Sequence, residues 1–314
     1  MGSHILESLH QHRLPTAILL RDTSKTDFLR TCLEHTEIRQ GSVEDPGSLN
    51  RVLEGVTHVI HCAGRTKAVN ACEFYQTNHQ GTRNLLEVVN RTEGIRRFLH
   101  VSSLAVSGPA TAQHPALEES PARPVSDYGK SKLAAEQEVR QHCRAAFTII
   151  RPPAVYGPRD TGFLSMFRAI KRHLLPRPNK GQALSLVYVK DLADAVTRCL
   201  TNPSASGKTY YVASPEVVTA RAMAEQIATL MGQWTVPLPM PTPVLYGVCL
   251  LQQLVSQITR QASLLNLQKY AELRAPGWVC SPARLLAETG LSCSTSLDEG
   301  LRQTLGWYQR EHWL

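Results

Sequence analysis

The 314-residue sequence holds no apolar run near the ~18 residues that a membrane-crossing helix needs. Its best stretch, PVLYGVCLLQQLV, is short and broken by Gln252 and Gln253, so no membrane span is expected. No basic segment followed by an apolar stretch opens the chain, so nothing reads as a secretion signal. The eight cysteines include no C-x-x-C pair and no metal-ligand spacing, which argues against a metal site and suits reduced thiols in a cytoplasmic protein. Aromatics make up only 6% of residues, and none interleave with the scattered lysines and arginines as a nucleic-acid platform would require. The net charge of +8 therefore reads as a solvated surface that favours anionic cofactors or substrates, with no nucleic-acid partner.

What the sequence does have is alternation. A hydrophobic content of 42% and a charged content of 19% call for a packed core. From Thr16 to about Arg151, apolar strands (TAILLR, TEIRQG, THVIHCAG, RRFLHVSS, FTIIRPP) alternate with helices expected near 26–34, 46–54, 70–91 and 127–143. That rhythm predicts an α/β fold, a doubly wound parallel sheet of the Rossmann kind, with ligands at the carboxyl ends of the strands. After RPPAVYGPRD the rhythm loosens. A helix near 161–173, a loop LLPRPNKG, the strand LSLVYV, the helix KDLADAVTRCL, the strand KTYYVAS, the helix RAMAEQIATLMG, a proline-rich bend VPLPMPTPV, two further helical stretches and a terminal helix follow. Residues 1–155 read as a dinucleotide-binding domain, and 156–314 as a smaller, mostly helical substrate part interleaved with it.

The chemistry centres on SDYGKSKLAAEQEV. Tyr128 and Lys132 stand four positions apart, which puts both on one helix face. A neighbouring ammonium favours the phenolate, so the pair can exchange a proton with a substrate hydroxyl. Alone, Tyr-x-x-x-Lys is a loose pattern that ordinary surface helices also carry. Context narrows it: Ser103 stands 25 positions earlier (128 minus 103), where the strand FLHVSS ends, and a hydroxyl there can donate to a substrate oxygen. His61, His79 and His100 have no partner at metal-ligand spacing and read as core or surface residues.

Taken in order, several segments resemble the extended short-chain dehydrogenase/reductases, the NAD-dependent epimerase/dehydratase family. They are HCAG at 61–64, FYQTNHQGTRNLLE, HVSSLAVSG, YGKSK, RPPAVYGPRD and LVYVKDLADAV. The resemblance implies that Tyr128 is the general acid/base, that Lys132 lowers its pKa and binds the nicotinamide ribose, and that Ser103 orients the substrate oxygen. It also implies that Cys62, Ala63, Gly64 and Asn78 line the cofactor, and that Pro152 and Val155 flank its nicotinamide end. A helix-mediated homodimer, common in the family, is left open.

The opening, MGSHILESLHQHRLPTAILLRD, matches that family only from the third glycine of its phosphate turn, with Gly2 in that glycine's place. The expected first strand and two glycines are missing. The readings are a sheet lacking a central strand, an upstream segment lost from the recorded start, which is favoured, or an expression scar. Cofactor choice is read after the second strand of the family pattern, where Arg21 precedes Asp22, with Lys25 nearby; this leans towards NADP over NAD. Ser42 replaces an aspartate that commonly contacts adenine, leaving Val43 to supply backbone contacts.

Leu104 and Ala105 stand where a sugar dehydratase would carry an acid and base, so dehydration is disfavoured. Ser107 replaces a tyrosine common in sugar-modifying relatives, and VLYGVCLLQQLV, Leu264, Leu265, Trp278 and GWYQREHWL make the second half apolar. Hydride transfer at a secondary alcohol or ketone of a hydrophobic small molecule is therefore expected, as in the 3β-hydroxysteroid dehydrogenase and dihydroflavonol reductase branch. A nucleotide-sugar epimerase and a non-catalytic dinucleotide-binding protein are the alternatives.

Overall fold

The computed structural model describes every residue except Lys25, Asn179, Lys180, Leu264 and Leu265, so three residues named above lie outside the described residues. The strands are β1 (Thr16–Leu20), β2 (Thr36–Gln40), β3 (His58–His61), β4 (Arg97–Val101), β5 (Ala146–Arg151), β6 (Ala154–Tyr156), β7 (Leu174–Pro178), β8 (Ala183–Tyr188), β9 (Lys208–Tyr211), β10 (Val217–Thr219), β11 (Val236–Met240) and β12 (Gly277–Trp278). The helices are α1 (Gly2–Gln11), α2 (Arg30–Leu33), α3 (Ala71–Phe74), α4 (Gly81–Arg91), α5 (Asp127–His142), α6 (Leu164–Lys171), α7 (Val189–Thr201), α8 (Ala220–Leu230), α9 (Thr242–Thr259), α10 (Leu267–Arg274), α11 (Ala283–Thr289) and α12 (Leu297–Arg310).

The central ladder, β3-β4-β5-β9, is all parallel, and its apolar strands are covered on both faces. On one face Leu99, Val101 and Ile150 pack with Ile5 and Leu9 of α1 and Val196 and Cys199 of α7. On the other, Phe98 and Ile149 pack with Leu85, Leu86 and Val89 of α4 and Val139 of α5. This is the expected α/β Rossmann-like architecture. Strands β1 and β2 pair in parallel as a separate ladder; among the described residues β1 pairs only with β2, and β3 only with β4.

Beyond β5, β10-β8-β12 form a mixed sheet that β6 joins through β8. Leu186 and Tyr188 of β8 pack with Phe167 of α6, Ile227 of α8 and Leu301 and Tyr308 of α12. Because α7 and β9 return to the central ladder, the chain crosses between the two regions more than once.

Two local expectations fail for physical reasons. The helix near 46–54 is a single 3₁₀ turn, Pro46–Leu49, opened by Asp45 accepting from the Gly47 amide at 3.0 Å. It stops because Arg51 lies in the left-handed region at φ 65°. The loop LLPRPNKG and the bend VPLPMPTPV contain β7 and β11, which pair in parallel. Their prolines alternate with residues that keep an N–H, and among the described residues neither strand has a second neighbour, so the backbone position without a donor can fall on the open side of the ladder.

Candidate active site

Ser103 is placed by backbone stitching beyond β4. The Ser102 amide donates to the Ile150 carbonyl at 2.7 Å and the Leu104 amide to the Pro152 carbonyl at 2.8 Å. Between them Ser103 is extended, and its Oγ accepts from the Ala105 amide at 3.1 Å. Helix α5 starts directly across from this turn, capped by the Ser126 hydroxyl, which accepts from the Gly129 amide. A Cβ on Gly129 would stand 2.5 Å from the Ala105 carbonyl oxygen, so the glycine of YGKSK is what lets the helix approach the serine turn.

The approach brings the Tyr128 phenol beside the Ser103 hydroxyl. Burial raises the phenol above its ordinary pKa; the nearby Ser103 hydroxyl favours the phenolate and the Glu272 carboxylate opposes it. One turn on, Lys132 is buried and its Nζ donates to the Val101 carbonyl at 2.7 Å. Burial lowers its pKa to about 8, with Glu136 pulling the other way.

Asn78 closes the site from the side. It lies in a π-helical turn, Tyr75–Gln80, that joins α3 to α4; such turns are often found at functional sites. Its Oδ1 accepts from the Arg65 amide at 2.7 Å, and its Nδ2 donates to the Arg65 carbonyl at 3.0 Å and to Ser131 Oγ of α5 at 2.9 Å. The loop after β3 is thereby fixed over α5. A Cβ on Gly64 would lie 3.2 Å from Asn78 Oδ1 and 4.0 Å from Lys132 Nζ. Ala63 and Gly64 are exposed, Gly64 beside the Lys132 ammonium.

Small residues, a hydroxyl, a phenol and an ammonium thus meet at the carboxyl ends of parallel strands, a donor set that fits the nicotinamide and ribose half of a dinucleotide. The remaining named residues lie further out. Gly2 opens α1, and a Cβ there would be 3.5 Å from Cys62 Sγ, which connects it to the β3 loop. Arg21 is exposed just past β1, its amide donating to Ser24 Oγ. Val43 is buried: its carbonyl accepts from Asn84 Nδ2 at 2.8 Å, and its side chain fills the space at Gly81, where a Cβ would come within 2.8 Å of Val43 Cγ2. Pro152 is buried behind the serine turn, and Val155 of β6 packs against the core under α7.

A second layer went unnoticed in the sequence. Glu136, one turn beyond Lys132, is 1% exposed and accepts from Ser102 Oγ at 2.6 Å and from Arg151 Nε and Nη2 at 2.8 and 2.7 Å. Arg151 also donates to the Tyr211 hydroxyl, which is hydrogen-bonded to Ser107. This ties α5 to the ends of β4, β5 and β9. The available signal was the i, i+4, i+8 run Tyr128, Lys132, Glu136. The apolar segments expected to line a substrate site disperse: Trp307 and Tyr308 of GWYQREHWL are core under α6 and α8, VLYGVCLLQQLV lies on α9, and Trp278 packs with Leu104. His61 and His100 are buried side by side on β3 and β4, and burial holds both well below the ordinary imidazole pKa, His61 at about 3.

The sequence matches the model of the NAD dependent epimerase/dehydratase family over residues 1–213. It is 29% identical over 315 residues to a ceramide reductase of Caulobacter vibrioides, a match spanning 100% of this chain and 93% of that protein. It is 28% identical over 248 residues to a UDP-glucose 4-epimerase of Vibrio cholerae, spanning 72% and 75% of the two chains. The fold superimposes on the Thermus thermophilus UDP-glucose 4-epimerase in complex with NAD with a TM-score of 0.76 at 24% identity, covering 98% of this chain and 95% of that one. Among the described residues no helix is long and apolar enough to cross a membrane.

Proposed function

The chain belongs to the NAD dependent epimerase/dehydratase family, a family of nicotinamide-dependent enzymes, and on that premise we propose that it reduces a ketone, or oxidises the matching secondary alcohol, on an apolar substrate. The observation that carries the reading is the placement of Ser103, just past β4, beside Tyr128 of α5, one helical turn from buried Lys132. When bound, the nicotinamide would supply or accept the hydride. Ser103 donates to the substrate oxygen and holds it against the phenol. Tyr128 gives that oxygen its proton in reduction and takes it back in oxidation. Lys132 stabilises the phenolate left behind and, with Asn78 and the Cys62–Gly64 backbone, holds the ribose.

Full-length likeness to a ceramide reductase supports an aliphatic lipid ketone over a steroid or flavonoid ring. The hydroxyl of Ser107, where sugar-modifying relatives carry a tyrosine, is bonded to Tyr211. Exposed Arg21 supports NADPH, with Gly2 at the pyrophosphate and Val43 near the adenine. We assign residues 156–314 the substrate-binding role. Exposed thiols at Cys62 and Cys72 fit a reducing compartment such as the cytoplasm.

The test is an absorbance assay with NADPH or NADH and a ketone-bearing ceramide in detergent. Net oxidation of the reduced cofactor, lost in Tyr128→Phe, supports the reading. The likeness to a UDP-glucose 4-epimerase favours a second reading. Conversion of UDP-glucose to its C4 epimer without net cofactor oxidation, and no turnover of the ketone, would establish that one instead.

A further inference from the structure

Helix α9 is amphipathic in an unusual sense. Its inward side buries only Leu245, Cys249 and Ser256. The opposite side carries Val244, Val248, Leu251, Leu254, Val255 and Ile258, all exposed; Leu251 is 62% and Ile258 83% exposed. From Gln226 to Thr259 the chain has no Asp, Glu, Lys, Arg or His, so nothing charged interrupts this face. An aliphatic ridge of this length on open surface marks a contact site.

The surroundings say what kind. Trp234, 67% exposed, and the exposed Val236 and Leu238 of β11 lead directly into the helix, and Tyr246 is exposed on its first turns. Amphipathic aromatics at the rim of an apolar face are typical of residues that sit at a bilayer headgroup level. The flanks are basic. Strand β7, paired with β11, follows exposed Arg168, Lys171 and Arg172, and residues 161–190 contain no acidic residue. Arg260 ends α9, and Lys269 and Arg274 lie exposed on α10, which packs against α9. A helix-helix seam with a second copy would be bordered by charges of both signs that set its register. Here the basic residues outnumber the acidic ones, which are Glu225 beside Trp234 and Glu272, paired with Lys269 at 3.0 Å.

We infer that α9 and the β7–β11 ladder form a docking surface for an anionic lipid bilayer, with α9 lying in the interface plane and the flanking arginines and lysines on the headgroups. The surface is close to the chemistry. Gln253 of α9 accepts from the Leu267 amide of α10, and Gln268 of α10 both accepts from the Asp127 amide and donates to its carboxylate, one residue before Tyr128. One short helix therefore separates the bilayer from the acid/base. The inference needs no assumption about the substrate.

The experiment is co-sedimentation of the full chain with vesicles of phosphatidylcholine alone and of phosphatidylcholine mixed with phosphatidylglycerol. Binding to the anionic vesicles, weakened by salt and accompanied by a blue shift of emission that is lost in Trp234→Phe, is expected. Leu251→Glu and Ile258→Glu, whose side chains are exposed and whose circular dichroism should match the parent, should each lower the partition coefficient by about tenfold. A chain that stays in the supernatant with both vesicles, or variants that bind as the parent does, would overturn the inference. So would a dimer in analytical ultracentrifugation that Leu251→Glu dissolves while no vesicle is bound, which would give the ridge to a second copy.

Discussion

Helices α5 and α9 are similar in length, 16 and 18 residues, and treat their side chains in opposite ways. Helix α5 is polar by composition yet buries Lys132, Glu136 and Glu138; α9 carries no charge yet leaves its aliphatic side chains in the open. Hydropathy alone would have reversed them. Burying a charge is costly unless each is paired. Lys132 has the Val101 carbonyl, Glu136 has Arg151 and Ser102, and Glu138 has Arg83 and His79. The fold spends its hydrogen-bonding groups where geometry must be held and leaves apolar surface where, on our inference, a lipid face supplies the missing contact.

If α5 is the chemical helix, its inner face should be intolerant of small polar changes. Tyr128→Phe should lower the rate of hydride transfer by about 10²–10⁴-fold, the usual worth of a positioned acid/base, while leaving the cofactor dissociation constant near the parent value. Steady-state kinetics with fluorescence titration checks both; retained turnover would remove Tyr128 from its role. Glu136→Gln leaves Arg151 buried without its counter-charge and should cost about 3–5 kcal/mol in urea unfolding. Combining it with Arg151→Met should recover most of that loss. A double variant no better than the single one would mean that the pair does not act as a unit.

Protonation sharpens the same contrast. Burial sets the Lys132 pKa at about 8 in the folded chain, below its ordinary 10.5. Below pH 8 both states carry the proton and the folded state bears the full desolvation penalty. As pH rises from 8 to 10.5 the folded chain loses its proton first, so this group's contribution to stability increases across that window. Urea midpoints measured across it, parent against Lys132→Met, should show a rise in the parent that the variant lacks. Helix α9, without a charged side chain, offers no counterpart.

The two regions were not equally legible. The parallel core was readable because buried strands such as RRFLHVSS and FTIIRPP are continuous apolar runs, and the site because Ser103, Tyr128 and Lys132 fall within about 30 residues. Glu136 and Arg151 come from different elements, and only the folded sheet brings their side chains together. Strands β7 and β11 were hidden by alternating prolines, which resemble loop in sequence. The turn at 46–54 depends on Arg51 taking a positive φ that no residue preference announces. Helix α9 was read as apolar and set aside as too short to span; which way its ridge points is a property of packing, and the sequence does not show it.

The smallest expected effect tests that last point most directly. The same chemical deletion, Leu to Ala, should give different answers on the two sides of the molecule. At Leu192, fully buried in α7 beneath the central ladder, it removes packed contacts and leaves a cavity, for an expected loss of about 2–5 kcal/mol. At Leu251 on α9 the side chain already meets water, so unfolding should shift by less than about 0.5 kcal/mol in lipid-free buffer. Urea unfolding of the two variants side by side makes the comparison. A loss at Leu251 approaching that at Leu192 would show that the ridge is covered within the folded chain in solution, and the contrast between α5 and α9 would then reduce to an ordinary difference between two buried helices.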